Sequence, residues 1–542
     1  MFQNLAPLDI TFILIYFSLL FAVGFYFSRK EKSSTEYFLA GRRVGWIAIG
    51  ASLFASNISS EHFIGLAGSG ASRGLAVGHF EWIACFILLI LGWVFVPFYL
   101  KSGVFTMPEF LERRYNKSSR MYLTSVSIVA YVITKISVTL FAGGLLLHEI
   151  LGWDIATSAI VMVIVAGIYT IAGGLKAIVH VDVLQSSVLI LGATTLTILG
   201  LQEVGGFSGL QEKVPVDFFS MFKPLSDPDF PWTGIIFGAP ILGVWYWCTD
   251  QYIVQRVLGG KNINHARTGT ILAGFLKILP VFILVLPGVI AYAYFNDPDI
   301  GDKAYPSLVA SQLLPAGIKG IVIASLLAAL ISSLASCFNS SSTLFTMDFY
   351  REFRPNSSEK ELVLVGRLAT TVLVILGIMW VPFIKYISSQ IYIYLQSVQA
   401  YISPPIAAVF ILGILWKRVN GKGAIWSLIT GAIIGAFRLV VELLYKAGKI
   451  EGSFLQFVAE ANFLHFAIFL FIVSASILIL VSLMTSSPEK KRVTGLTFAT
   501  AHEVKTEFTE MIESRNPTWT KINIGLSILL VATIIFLYTR FF

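Results

Sequence analysis

The chain has 542 residues, of which 56% are hydrophobic and 13% are charged, and its mean hydropathy is +0.78. Soluble proteins carry about 25% charged residues, so the composition excludes a water-soluble globule of this size, and its hydrophobicity excludes disorder. The three cysteines lie in apolar stretches and exclude a disulfide scaffold. We attribute the net charge of +8 to cationic membrane loops, so no nucleic-acid partner is expected.

Fourteen apolar stretches are long enough to cross a lipid bilayer as helices. They lie near 8–28, 45–70, 74–99, 121–149, 156–173, 180–202, 232–256, 267–295, 305–349, 362–384, 389–416, 423–445, 460–485 and 521–540. The stretch at 305–349 is too long for one span and is predicted to include a loop helix. The first stretch is not expected to be a cleaved signal peptide, because its basic residues, Arg29, Lys30 and Lys32, follow it.

The distribution of Lys and Arg predicts that both chain termini lie outside. With fourteen spans, the predicted inner loops contain 27 of these cations and the predicted outer segments, which include Lys385, contain 9. Such a bias is typical of cytoplasmic loops. The remaining three, Lys135, Lys277 and Arg438, fall within spans. A buried partner is expected for Lys135, and Arg438 is interpreted as snorkelling to the outer face.

Several spans contain polar residues at bilayer depth, and the second span is the clearest case. In the second span the run 50–63 includes Ser56, Asn57, Ser60, Glu61 and His62, which predicts an unwound stretch at 55–59. The alternative is a continuous helix whose small residues mediate packing. The seventh span has a similar interruption at 243–251. Interruptions at matching places in two halves indicate a transporter built from inverted repeats, with substrate and ion sites at the breaks.

We therefore predict an all-α polytopic membrane protein of about fourteen transmembrane helices. Residues 1–44 form an extra helix and a cytoplasmic loop, 45–202 the first inverted repeat, 203–231 an extracellular loop, and 232–416 the second repeat. Residues 417–542 form three peripheral helices with a cytoplasmic linker. Pro404 and Pro405 are predicted to bend the eleventh span into a gate.

Several blocks of the chain resemble the sodium/solute symporter family, and within it the sodium/glucose cotransporter branch. They are 50–70, 80–82, 169–175, 245–256, 332–348 and 404–420, and the similarity extends from about residue 9 to about residue 444. The resemblance implies a leucine-transporter-like fold with two inverted five-helix repeats. It also implies sodium-driven uptake of a glucose- or galactose-type monosaccharide by alternating access. The expected partners are Na⁺ as coupling ion, the monosaccharide and the lipid bilayer of a plasma membrane, or of an inner membrane in a bacterium, with no other cofactor.

A pyranose site needs a few placed polar groups and an aromatic platform. Polar groups at membrane depth are functional by default, and the resemblance implies the same positions. The predicted sugar-binding residues are Asn57, His62, Glu81, Tyr246, Trp247, Lys277 and Gln396. Three alternatives remain: Glu81 and Lys277 as a buried ion pair, His62 as a core histidine, and Gln396 as a contact between helices.

The resemblance also implies gates around the sugar. Tyr246 would close the site from the cytoplasm, and Leu66, Phe80 and Tyr392 would cover it from outside. The alternative for these side chains is hydrophobic packing.

A sodium ion favours oxygen ligands, which an unwound helix and a facing hydroxyl-rich helix both provide. The predicted ligands, which match the family's shared sodium site, are the carbonyls of Ala55, Ile58 and Ala329 and the hydroxyls of Ser332 and Ser333. The resemblance suggests a second sodium at Asp182, Ser332, Ser333 and Ser336. The alternative for Asp182 is compensation of a helix N-terminus.

Other functions remain as alternatives: a sodium symporter for myo-inositol, sialic acid or another small solute, or a sugar sensor without concentrative transport. An intramembrane enzyme is not expected, because the sequence shows no paired catalytic carboxylates, metal-ligand cluster or nucleophile triad.

Overall fold

The structure, a computed structural model, describes residues 5–28, 33–59, 61–380, 391–449, 452–501, 503 and 516–541. The predicted loop cations Arg29, Lys30, Lys32 and Lys385, together with Ser60, lie outside the described residues, as does part of the predicted C-terminal linker. Within the described chain the regular structure is helical and contains no β-strand. The prediction of an all-α protein is therefore confirmed.

The main helices are numbered in chain order. They are α1 (Pro7–Ser28), α2 (Trp46–Asn57), α3 (His79–Ile90), α4 (Lys117–Ala130), α5 (Ser137–Leu151), α6 (Ile155–Glu203), α7 (Gln251–Leu258), α8 (Ile263–Leu276), α9 (Leu286–Phe295), α10 (Ile318–Leu344), α11 (Glu359–Trp380), α12 (Ile391–Leu415), α13 (Gly421–Lys446), α14 (Phe463–Met484) and α15 (Pro517–Arg540). Short α-helices between them are Ser34–Leu39, Ala67–Arg73, Val96–Ser102, Met107–Arg114, Gly206–Lys213, Ala239–Gly243, Ala304–Ala310, Arg351–Phe353 and Ser453–Glu460. Wider π-helical turns occur at Glu61–Leu66, Leu91–Phe95, Tyr131–Ile136, Gly234–Gly238, Val244–Thr249, Val281–Val285 and Phe345–Tyr350.

Eleven helical segments of the described chain are long and apolar enough to cross a membrane. They account for eleven of the fourteen predicted stretches. The other three stretches, near 45–70, 156–173 and 232–256, contain the shorter apolar helices Trp46–Asn57, Ile155–Ile168 and Gly234–Thr249. The chain is thus a multi-pass membrane protein, while fourteen crossings and the inverted repeats stay predictions. The expected loop helix within 305–349 is present as Ala304–Ala310, separate from α10.

Burial separates a central group of helices from a peripheral one. In α10 and its continuation to Phe353, 89% of the most apolar window is buried, whereas the corresponding share is 17% in both α1 and α15. Helix α10 packs along α6, α8 lies against α2, and α15 covers α8. The apolar surface of the outer helices therefore faces lipid, and the polar residues discussed below lie in the centre.

The first predicted break is present but begins later than expected. Helix α2 continues through Ala55 and ends at Asn57, and Ile58 is extended with φ −72° and ψ 114°. The helix persists because the Ile58 amide still donates to the Phe54 carbonyl at 3.0 Å. The π-helical turn that begins at Glu61 resumes the helical path.

The second break is shorter than the predicted interruption at 243–251 and consists of one residue, Asp250. This residue follows the π-helical turn Val244–Thr249 and is extended with φ −78° and ψ 126°. The Asp250 carboxylate then accepts from the Tyr252 amide at 3.1 Å and caps α7. Both predicted interruptions therefore correspond to non-helical backbone inside apolar segments.

Two further positions shape the helical core. Gly174 has φ +48° within α6 and separates the predicted spans at 156–173 and 180–202. In the eleventh span, Pro404 and Pro405 lie inside α12, which runs as one helix from Ile391 to Leu415.

The snorkelling interpretation of Arg438 is wrong. Its side chain is buried and donates to the carbonyls of Ala459 and Ala461 at 2.9 and 3.0 Å. These carbonyls, at the end of the helix Ser453–Glu460, accept from one guanidinium nitrogen inside the protein, and a second guanidinium nitrogen lies 3.3 Å from Glu442 Oε2.

Candidate functional site

A single polar cavity collects the predicted sugar-binding residues. All seven line it, and so do the predicted gates Phe80 and Tyr392. Leu66 is fully buried and, among the described residues, is the one predicted gate outside the cavity wall. Residues from both breaks contribute, because Asn57 and His62 flank the first and Tyr246 precedes the second.

Lys277 reaches the cavity because α8 ends there. Pro280 has no N–H to donate to a carbonyl four residues earlier, so α8 stops at Leu276 and Lys277 follows it. The Lys277 ammonium forms an ion pair with Glu81 and donates to Asn57 Oδ1 at 2.6 Å. The ion pair considered for Glu81 and Lys277 therefore exists, and both partners also face the cavity.

His62 lies between two carboxylates. Its Nε2 is 3.4 Å from Glu81 Oε1 and its Nδ1 is 3.9 Å from Glu61 Oε1. Nδ1 also accepts from the Ser59 amide at 3.4 Å, so the proton of a neutral ring belongs on Nε2, where it points to Glu81. The broken helix thus fixes the orientation of the imidazole in the cavity wall.

A second ion pair lines the same cavity and was not predicted as part of the sugar site. Lys135 Nζ lies 2.9 Å from Glu61 Oε1, and both side chains are buried. Lys135 belongs to the π-helical turn Tyr131–Ile136, whose wider winding interrupts the regular helix. This is the buried partner expected for Lys135. The sequence showed a lone lysine within a span, but it gave no indication that this lysine pairs with Glu61.

Aromatic rings close the cavity. The Tyr246 hydroxyl accepts from Asn57 Nδ2 at 3.1 Å, and its ring meets Trp247 edge-on with the centroids 5.2 Å apart. Phe80 and Tyr392 meet in the same manner at 5.8 Å. Gln396 and the unpredicted Gln399 follow Tyr392 at helical spacing on α12, so the three share one face. The cavity therefore combines hydrogen-bonding groups with apolar ring faces, as a sugar requires.

The predicted sodium ligands lie where α10 crosses the first break. The Ser333 hydroxyl is 3.3 Å from the carbonyls of both Ser56 and Ile58. Ala55 and Ala329 are buried on the two helices that meet here. The arrangement brings carbonyl and hydroxyl oxygens together at a helix end, which is chemistry suited to a hard monovalent cation.

Asp182 is surrounded by serine hydroxyls. It accepts from Ser52 at 2.5 Å, from Ser332 at 2.6 Å and from Ser56 at 3.4 Å, and the Ser56 hydroxyl is also 3.0 Å from that of Ser336. The part of α6 that contains Asp182 begins after the kink at Gly174, eight residues earlier, so Asp182 lies beyond the first turn and does not compensate a helix N-terminus. Ser52 and Ser56 were not among the predicted ligands.

Arg256 is a further residue that the sequence misplaced. It is the first residue of the predicted inner loop at 256–267 and one of the 27 cations counted in such loops. In the structure it is fully buried on α7, and its Nε donates to the Ser56 hydroxyl at 3.1 Å. Within the described residues there is also no group of three or more His, Cys, Asp or Glu side chains arranged to hold a metal ion. Ser52, Ser56 and Ser332 donate to the Asp182 carboxylate, each through a hydroxyl.

The overall arrangement of helices resembles that of a solved membrane symporter. A solved structure of a Na⁺-coupled sialic acid symporter, in a substrate-bound outward-open state, superposes with a TM-score of 0.75 at 22% identity and covers 89% of this chain and 99% of its own. This similarity concerns the fold, which is leucine-transporter-like.

The family follows from sequence comparison. A sequence model of the sodium:solute symporter family matches residues 37–431, and the chain belongs to that family. Sodium/glucose cotransporter 4 of Danio rerio is 41% identical over 96% of this chain and 84% of its own length. The sodium/mannose cotransporter of Bos taurus is 42% identical over 99% and 98%, and the human sodium/myo-inositol cotransporter is 40% identical over 90% and 75%. The members of this family are transporters and not enzymes.

Proposed function

We propose that this protein is a sodium-coupled symporter of a neutral monosaccharide of the glucose or galactose type, working by alternating access. The observation that carries the proposal is one buried cavity with the predicted sugar-binding set, beside the helix break that also carries the predicted sodium ligands. Relatives at 40–42% identity are named sodium cotransporters of glucose, mannose and myo-inositol, which supports this class of substrate.

The charge of the cavity favours a neutral solute. Lys277 is paired with Glu81, and Lys135 with Glu61, so each lysine in the cavity wall is compensated. A carboxylate substrate would need a cation that is not already paired, and it would face two carboxylates of the same sign. Sugar hydroxyls, in contrast, both donate to carboxylates and accept from ammonium groups.

The break at Ile58 supplies a physical reason for coupling. Sodium bound between the break and Ser333 would hold α2 against α10 and order Asn57 and His62, which flank the break, for the sugar. Release of sodium to the inside would loosen this arrangement. Sodium can shift the conformational equilibrium only by its differential affinity for the two states, so undiminished sugar binding without sodium contradicts the scheme.

Uptake into proteoliposomes tests the proposal. Labelled D-glucose should accumulate with an inward sodium gradient and not with potassium in its place. Gln396→Ala and Glu81→Ala should each raise the half-saturating glucose concentration by about ten- to hundredfold, because each removes a hydrogen bond to a hydroxyl. Ser325→Ala, which changes a buried hydroxyl on α10 that donates to Val322, is the matched control. Unchanged glucose uptake in both cavity variants would exclude this sugar site.

Myo-inositol is the second candidate substrate, because the human sodium/myo-inositol cotransporter is 40% identical. Competition of labelled glucose uptake by galactose, mannose, myo-inositol and sialic acid distinguishes these solutes. Accumulation against a gradient separates a symporter from a sensor, which would bind glucose without concentrating it.

Asp182 with its serines supports a second sodium in this proposal. One charge gains about 2.3 kcal/mol at 100 mV, and a tenfold gradient adds about 1.4 kcal/mol. Two sodium ions would therefore support about the square of the roughly 500-fold accumulation that one supports. Reversal potentials at varied sodium and glucose measure the ratio, and one sodium per sugar in the wild type would refute the second site.

The proposal places the protein in the plasma membrane, or the inner membrane of a bacterium, with both termini outside. The cation bias of the predicted loops supports this orientation. Cysteine labelling of single-cysteine variants near each terminus with an impermeant reagent would test it.

A further inference from the structure

We propose that Lys135 links the sugar cavity to the sodium-side backbone, through Glu61 on one side and Tyr252 on the other. This set, with the Ser56 carbonyl, is called the Lys135 relay below. It rests on the proposed function and assigns positioning roles to residues outside the predicted sugar and sodium sets.

The relay begins with an unsatisfied carboxylate oxygen of Glu61, a residue of the cavity wall. Glu61 Oε1 pairs with Lys135, whereas Glu61 Oε2 is buried and has no hydrogen-bond partner among the described residues. A buried carboxylate oxygen left without a donor is unfavourable. Because Glu61 lines the cavity, a ligand hydroxyl is the donor that would satisfy it.

Lys135 contacts Glu61 on one side and two tyrosine rings on the other. Its ammonium lies 4.9 Å from the ring centroid of Tyr246 and 5.8 Å from that of Tyr252. Cation–π contacts of this length are attractive, and they are stronger when the groups are desolvated. A ligand that draws Glu61 toward itself therefore changes the balance of forces on Lys135 and on both rings.

Tyr252 connects these rings to the first break. Its hydroxyl donates to the Ser56 carbonyl, which also accepts from Ser333 at 3.3 Å. The Tyr252 amide in turn donates to the Tyr131 hydroxyl at 3.0 Å, which holds the start of α7 in place. Ser56 lies between the predicted sodium ligands Ala55 and Ile58, so Tyr252 helps to set how their carbonyls are presented.

The expected consequence is energetic coupling between the two ligands. If sodium raises glucose affinity by a given factor, glucose raises sodium affinity by the same factor. Loss of the relay should change this coupling factor more than it changes the affinity for sodium alone or for glucose alone. Tyr252 does not belong to the cavity wall as the described residues define it, so its hydroxyl should affect coupling and not direct sugar contact.

The test measures D-glucose binding to the purified full-length protein in lipid nanodiscs. Sodium is varied at constant ionic strength, and the coupling factor is the ratio of Kd at low sodium to Kd at saturating sodium. Tyr252→Phe and Lys135→Met should each lower the factor by about three- to tenfold, equivalent to one hydrogen bond. The double variant should lose no more than either single variant, because both interrupt one chain of contacts. Sodium binding with and without glucose should show the same change.

Two variants serve as controls. Tyr115→Phe removes another buried hydroxyl that donates to a backbone carbonyl, that of Val409 at 2.8 Å, and should leave the factor unchanged. Lys135→Arg keeps a cation over the rings and should retain most of the coupling.

The outcomes separate the relay from the proposed function. Sodium-dependent glucose binding in the wild type, together with an unchanged factor in Tyr252→Phe or additive losses in the double variant, overturns the relay alone. Glucose binding that is absent, or independent of sodium, in the wild type overturns the proposed function and the relay with it.

Discussion

Variants of the ion pair between Lys277 and Glu81 should affect protein stability and sugar transport differently. Lys277→Met removes the ammonium and keeps most of the apolar stem. Glu81, which is 3% exposed, then has His62 at 3.4 Å as its remaining charged or polar partner among the contacts described above. Asn57 Oδ1 also loses its donor at 2.6 Å.

The expected loss of folding free energy follows from the burial of the ion pair. Removing one partner of a buried ion pair costs about 3–5 kcal/mol of folding free energy. Replacing both charges is often close to neutral, so the double variant Lys277→Met/Glu81→Gln should recover most of the lost stability. Transport should not recover, because charged hydrogen bonds to hydroxyls, about 1.5–3 kcal/mol each, remain absent.

The assay combines thermal melting in detergent with sodium-driven glucose uptake. Lys446→Met is the control, because its ion pair with Glu442 is exposed on the lysine side, and such pairs contribute at most about 1 kcal/mol. The reasoning fails if the double variant melts no higher than Lys277→Met, or if either variant takes up glucose with wild-type affinity.

Three further changes test other parts of the structure. Asp182→Asn should reduce the sodium-to-sugar ratio from two to one, and a reversal potential identical to that of the wild type would contradict this. Ser333→Ala should raise the half-saturating sodium concentration about fivefold, because it loses one contact worth ~1 kcal/mol. The control Ser325→Ala should leave this concentration unchanged. Equal effects of the two variants in a sodium-activation series would exclude Ser333 as a ligand. Gly174→Ala should destabilise the protein by more than about 3 kcal/mol, because the new Cβ would lie 2.5 Å from a backbone carbonyl. Gly152→Ala also has a positive φ of 69° but meets open space, so its melting temperature should fall much less.

The spans and the breaks could be read from the sequence because their signals are local. A run of apolar residues predicts a membrane helix wherever it packs, and polar residues inside such a run predict interrupted backbone. In the structure the first break begins at Ile58 and not at Ala55, because helical hydrogen bonding continues up to the Ile58 amide, which donates to the Phe54 carbonyl. Boundaries depend on such individual bonds, which propensities do not resolve.

The sugar-site residues were found from polarity at membrane depth and from the resemblance, and the structure brings all seven to one cavity. What the sequence did not show was how they pair. Glu61 and Lys135 are 74 residues apart, and Glu81 and Lys277 are 196 apart. Hydropathy indicates that each charge is buried, but no local pattern indicates which opposite charge compensates it.

Arg438 and Arg256 are further residues whose partners the sequence did not indicate. Each was placed by its position relative to a span, one at the outer face and one in an inner loop, and both are buried against acceptors supplied by distant segments or another helix. The sequence by itself determined a polytopic helical transporter with two broken segments, because lipid forbids unpaired backbone and charge. Only the tertiary structure decided which charges, carbonyls and hydroxyls meet, because that depends on how the helices cross.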